Sequence, residues 1–263
     1  MPPTDSIPGK APMPLARASL LCGLLFMLPG MAQETDSIET LTERINNNSK
    51  DAQLYIQRGD LYFGTRDFFD AVEDYTLAIE LDPDADQAYF GRGMALARQG
   101  LVDDGIADLS VFIKRNPDSS LAYTKRGIRY MWKQDYKNAE KDLARALELN
   151  PDNAEAHDDI GIIFAKKRDY TKAIEHFSAT IRLDPGYQKG YHNLAMAFFL
   201  TGQDVQALAF VNQALTLNPI HKDALLLKSN ILEAFGRHEE AASFREDAEF
   251  SPETNWTESV SVD

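Results

Sequence analysis

Apolar and small side chains recur along most of this chain at helical spacing, and the arrangement repeats every 34 residues. Glycines at 59, 93, 127 and 161, continued by Ala195 and Ser229, mark one slot of the repeat. A large residue stands four places before each (Tyr55, Tyr89, Tyr123, His157, Tyr191, Leu225) and another three places after (Tyr62, Leu96, Tyr130, Phe164, Phe198, Leu232). These spacings put the three positions on one face of a helix, with the small residue where two helices approach closely. A second helix is predicted from Ala71, Gly105, Ala139, Ala173, Ala207 and Ala241, each followed four places on by Tyr75, Leu109, Leu143, Phe177, Val211 and Arg245. Three places further stand Ala78, Phe112, Ala146, Thr180, Ala214 and Ala248. Prolines at 83, 117, 151, 185 and 219 share the period, and Asp or Asn precedes every one. Proline breaks a helix and keeps its predecessor out of helical geometry, so each dipeptide ends one helix pair and starts the next. The expected units are 52–85, 86–119, 120–153, 154–187, 188–221 and 222–253.

This pattern resembles the tetratricopeptide repeat, with its large residue, Leu, Gly and Tyr on the first helix and Ala, aromatic, Ala and Pro around the second. The resemblance covers about residues 52–253 and implies an all-α, right-handed superhelical solenoid of antiparallel helix hairpins, each burying its apolar face only by stacking on neighbours. Departures are confined to packing positions. Arg58, Arg92 and Arg126 fill the usual leucine slot, and the second unit has Gly105 and Phe112 for the two alanines. Arg245 replaces the sixth aromatic, and Pro252 comes one place early, which suits a terminal helix pair.

The flanks follow other rules. Residues 1–32 combine Lys10 and Arg17 with an apolar run from Ala18 to Leu28, Pro29 and small residues at Gly30 and Ala32. That is the layout of a secretory signal peptide cleaved after Ala32, since the run is too short to anchor the chain across a bilayer. Met13 is an alternative start, and lipid attachment at Cys22 an alternative processing route that Leu21 fits poorly. Within 33–51, Asp36 to Asn46 is expected to form a helix with Asp36 and Glu39 as a capping pair. Ile38, Leu41 and Ile45 would cover the apolar side of the first hairpin. Residues 254–263 lack apolar periodicity and are expected to form a disordered tail.

Through the resemblance, first-helix residues one and four places after the glycine slot should face a concave groove. The first set is Asp60, Met94, Ile128, Ile162, Met196 and Asn230, and the second is Phe63, Ala97, Met131, Ala165, Phe199 and Glu233. The expected partner-binding strip is therefore Phe63, Phe90, Met94, Ile128, Met131, Trp132, Ile162, His192, Met196 and Phe199, with Glu155, Asp158 and Asp159 as an acidic rim. Methionine and aromatic side chains adapt to an apolar partner and supply the anchors of an interface. The Lys by which relatives grip a C-terminal carboxylate is missing, because the position three before the glycine slot holds Ile56, Phe90, Thr124, Asp158, His192 and Leu226.

Charge and composition narrow the function. With 27 basic and 41 acidic residues the chain carries −14, and loss of residues 1–32 would leave −15. Nucleic acid and anionic membranes are poor partners for such a molecule, whereas basic proteins would be drawn to it. Cys22 is the single cysteine, so the cleaved form would hold none, which fits a bacterial periplasm better than a disulfide-stapled secreted module. The five histidines (157, 176, 192, 221, 238) are scattered, without an HExxH pair or a glycine-rich phosphate loop, so neither enzyme chemistry, a metal nor a cofactor is expected. The reading is an exported adaptor or scaffold that binds a protein or peptide with apolar anchors. A holdase-like chaperone and a self-associating structural subunit are the alternatives.

Overall fold

The computed structural model describes residues 36–252, so the expected signal peptide, its cleavage after Ala32 and the tail at 254–263 lie outside it. The described residues form thirteen α-helices and no strand. A short helix α1 (Ile38–Asn47) precedes twelve helices that pair off in chain order. These are α2 (Ala52–Gly64) with α3 (Phe68–Leu81), α4 (Asp86–Arg98) with α5 (Val102–Arg115), and α6 (Ser120–Trp132) with α7 (Tyr136–Leu149). The series continues with α8 (Ala154–Lys166) and α9 (Tyr170–Leu183), α10 (Gln188–Leu200) and α11 (Asp204–Leu217), and α12 (Lys222–Ala234) and α13 (His238–Glu249). Each hairpin packs on the next, giving an all-α solenoid.

Turn chemistry explains the punctuation. Three residues link the helices of a pair, and the middle one has positive φ: Arg66, Gly100, Gln134, Arg168, Gly202 and Gly236. The next amide returns to a carbonyl five residues back, as in Asp67 to Tyr62 (2.8 Å) and Asp169 to Phe164 (2.9 Å), a Schellman closure of the first helix. Between pairs, four of the five Asp or Asn residues that precede a proline turn the chain with their own side chains. Asp82, Asn150, Asp184 and Asn218 accept the amide two residues on at 2.9–3.3 Å.

Helix α1 starts two residues later than expected. Ser37, not Asp36, is the N-cap and accepts the Thr40 amide at 3.2 Å, while Asp36 pairs with Arg44 at 2.9 Å. Leu41 and Ile45 are buried against the first hairpin.

Successive first helices touch one another, whereas successive second helices do not. The stack therefore bends toward the first helices, which line its inner face.

The three arginines in the leucine slot form a periodic ladder between hairpins. Arg58 donates through Nε and Nη2 to Asp74 (2.8 and 2.7 Å) and through Nη1 to Thr42 on α1 (3.0 Å). Arg92 makes the same contacts with Asp108 (2.7 and 3.0 Å) and Thr76 (3.3 Å). Arg126 repeats them with Asp142 (2.7 and 2.8 Å) and Ser110 (2.9 Å). A guanidinium offers a planar fork to the carboxylate and a spare N–H to the neighbouring hairpin, so one side chain joins three helices. The carboxylates are buried. In the fourth and fifth units the corresponding residues are Ile160 with His176 and Leu194 with Phe210, and the ladder stops.

The second hairpin is drawn together more tightly than its neighbours. A methyl group on Gly105 would lie 2.5 Å from the Gly93 carbonyl oxygen and 3.1 Å from the Ala97 Cβ. Phe112, in place of the usual alanine, packs its ring 5.1 Å from that of Phe90. Gly105→Ala restores the family's usual residue and gains ~1 kcal/mol of helix propensity. The clash with a backbone oxygen outweighs that gain, at roughly 2–3 kcal/mol. Urea unfolding is expected to show a net loss of about 1–2 kcal/mol; a variant as stable as the parent would mean that the helices separate without penalty.

Candidate functional site

The ten expected groove residues do not form one strip. Phe63, Phe90 and Met94 lie in the core, at 4%, 0% and 0% exposure, and present no surface to a partner. The reason is local to the first three units. Phe63 packs edge-on to Phe68, Phe90 packs on Phe112, and Arg129, itself fully buried, reaches back so that Nη2 meets the Met94 sulfur at 3.0 Å. That contact seals the inner face between α4 and α6. Ile128, Met131, Ile162, His192, Met196 and Phe199 are half-buried, and Trp132 is exposed.

The inner face opens between α8 and α10. A hollow of about 360 Å³ lies there, lined by Ile162, Ala165 and Lys166 from α8 and Asn193, Met196, Ala197 and Leu200 from α10, with Phe177 of α9 also on its wall. Only Ile162 and Met196 of the expected ten line it. The others were legible in part: Lys166 and Leu200 hold the same place on their helices as Trp132, five residues after the glycine slot. Leu200 is half-exposed for so large an apolar side chain, so the hollow presents apolar surface to solvent. Trp132, one hairpin away, is faced by the guanidinium groups of Arg98 (5.3 Å) and Arg129 (4.4 Å).

The expected acidic rim is corrected. Asp158 and Asp159 are buried, so they cannot act as a solvated charged edge. Lys189 of α10 reaches Asp158 at 2.8 Å and Asp159 at 3.5 Å, and Asn193 donates to Asp158 at 2.7 Å. Glu155, which remains partly exposed, is gripped through both oxygens by Lys125 (2.9 and 2.8 Å). Burial raises the pKa of Asp159 to about 7, opposed by Lys189 and reinforced by Asp158. Burial would by itself pull Lys189 down, but the two aspartates outweigh it and hold the ammonium above the usual lysine range. The cluster braces α6, α8 and α10 next to the hollow. It leaves the net charge alone as the ground for attraction of a basic partner.

His192 packs against His221, ring centroids 5.7 Å apart, and burial with that neighbour lowers its pKa to about 4, so it is neutral near pH 7. His157 and His176 approach through their Nδ1 atoms at 3.0 Å, with the His176 ring stacked on Phe164. Among the described residues no group of His, Cys, Asp and Glu is arranged to hold a metal, and no helix is long and apolar enough to cross a membrane.

A stack of helix hairpins with an apolar hollow on its inner face is the build of a repeat scaffold that works by contact with other proteins. Three segments, 56–120, 124–188 and 193–252, match the tetratricopeptide repeat family model, and the chain belongs to that family. No curated protein sequence matches it. Among solved structures it is similar to YrrB, described as a TPR protein with an unusual peptide-binding site, at 25% identity and TM-score 0.55, over 72% of this chain and 97% of that one. It is also similar to PilW, a type IV pilus biogenesis factor, at 19% identity and TM-score 0.67, over 73% and 90% of the two chains. The match to the APC/C hetero-tetramer Cut9–Hcn1 has 17% identity and TM-score 0.73, and covers 79% of this chain but only 41% of that one. The last two likenesses concern the fold alone.

Proposed function

We propose that this protein is an exported adaptor of six tetratricopeptide repeats that holds a peptide segment of a partner protein on its inner face, with an apolar side chain seated between α8 and α10. The observation that carries this reading is the hollow lined by Ile162, Met196 and Leu200, an apolar surface left open where the neighbouring inner face is sealed. YrrB, a relative in fold at 25% identity, is described as binding peptide, which supports a groove ligand in general terms. Export rests on the leader-like residues 1–32, and fractionation of cells producing the full chain tests that half of the proposal separately.

In-cell photo-crosslinking tests the site. A crosslinking residue at Met196 is expected to give one discrete adduct, and one at Phe69, exposed on a second helix, none. A ladder of unrelated adducts from Met196 would favour a holdase. A discrete adduct from Phe69 alone would move the function to the other face of the stack.

A further inference from the structure

We propose that the hollow between α8 and α10 selects acidic amphipathic segments, taking an apolar side chain against Ile162, Met196 and Leu200 while a nearby Asp or Glu side chain of the partner pairs with Lys166. The proposal rests on the groove reading above and specifies the chemistry of its ligand.

Cations without an ion-pair partner occur elsewhere among the described residues, Lys137 and Arg168 among them, so what sets Lys166 apart is its place on the wall of an apolar hollow. Three lysines near it are paired: Lys133 with Asp103, Lys167 with Glu140 at 2.6 Å, and Lys189 with Asp158 and Asp159. Lys166, on the wall of the hollow, is exposed and has no ion-pair partner among the described residues. Its place in the last turn of α8 suits a cation by itself, through the helix dipole. The dipole does not account for the lack of any carboxylate on the hollow's wall, where the remaining polar residue is Asn193.

The acidic residues of the inner face close by are already engaged. Lys125 grips Glu155, and Lys189 neutralises the buried Asp158 and Asp159, so they offer little to a basic partner. Along the inner face the position five after the glycine slot reads Arg98, Trp132, Lys166, Leu200 on successive first helices, alternating cationic and apolar character. A partner segment complementary to Lys166 and Leu200 needs an acidic group beside an apolar one.

Selection of a random dodecapeptide phage library on the full chain tests this. Enriched peptides are expected to place Asp or Glu within a few positions of a large apolar residue. A synthetic representative, followed by fluorescence anisotropy, should bind about fivefold more weakly to Lys166→Ala, the scale of one exposed ion pair. Selection on Lys166→Glu should turn the preference toward Lys and Arg. Leu200→Asn, at a position 52% exposed and so able to fold, should weaken every selected peptide.

If peptides depend on Leu200 but show no acidic preference, or are indifferent to Lys166, the inference is overturned and the groove reading stands. If they ignore Leu200, or none is enriched, the groove reading fails and takes the inference with it. Self-association that depends on Leu200 in sedimentation would make the occupant a second copy of this chain and overturn the proposal as well.

Discussion

Asp142→Ala is expected to destabilise the folded chain by about 3 kcal/mol, because it strips a nearly buried guanidinium of its only carboxylate. Arg126 would keep the Ser110 hydroxyl, a neutral acceptor that cannot offset the lost charge. Arg126→Leu is expected to be comparably costly, since it leaves the Asp142 carboxylate buried at 4% exposure. The double variant Arg126→Leu with Asp142→Phe should lose no more than either single change, well short of their sum. Replacing a whole buried ion pair by apolar groups is often neutral, whereas removing one partner is not. The molecule supplies the precedent, because the fifth unit builds the same place from Leu194 and Phe210. Chemical denaturation of Arg126→Leu, of Asp142→Phe (expected to cost about as much as Asp142→Ala) and of the double variant closes a cycle whose coupling should be about 3 kcal/mol. Strictly additive losses would show that the ladder contributes through packing and not through charge.

That ladder was written in the sequence but not read there. Arg58, Arg92 and Arg126 stand out as departures from leucine, and each has an aspartate sixteen residues after it and a hydroxyl sixteen before it. Slot-by-slot comparison with the repeat hides this pattern, because the partner positions belong to different helices and carry no hallmark. The hairpins themselves were legible. Proline, glycine and alanine positions are fixed by backbone geometry that is local to one unit, so the period alone placed the helices.

The groove was legible only in part, since openness is a property between units. Met94 and Met196 occupy equivalent positions, yet one is sealed beneath Arg129 from the next hairpin and the other lines the hollow. Nothing in the first-helix pattern distinguishes them. Asp158 and Asp159 were misjudged for the same reason: an adjacent acidic pair on a helix is ordinarily solvated, but Lys189 and Asn193 arrive from α10 and cover it.

Lys189→Met tests the energetic weight of that cover, and its effect should depend on pH in a particular direction. The folded-state pKa of Asp159 lies at about 7, above its ordinary 3.8, so the folded protein keeps a proton that the unfolded chain releases. Stability linked to this group therefore falls as pH rises between about 4 and 7. Asp158 is shifted the same way, chiefly by burial and against the pull of Lys189. Without the ammonium both carboxylates lose the opposite charge that restrains the shift, so their titration in the folded state moves higher and the decline continues above pH 7. At pH 8, where the parent holds ionised groups around Lys189, the variant should lose about 3 kcal/mol. At pH 5, where the aspartates of the folded variant are protonated and neutral, the loss should shrink to about 1 kcal/mol. His192 acts in the opposite sense, since its pKa of about 4 makes stability fall as pH drops below 6.5. That contribution is common to parent and variant and cancels in the difference between their unfolding curves. A difference that does not change between pH 5 and pH 8 would mean that the buried aspartates are balanced by something other than Lys189, and the account of how α8 and α10 are held beside the hollow would have to be rebuilt.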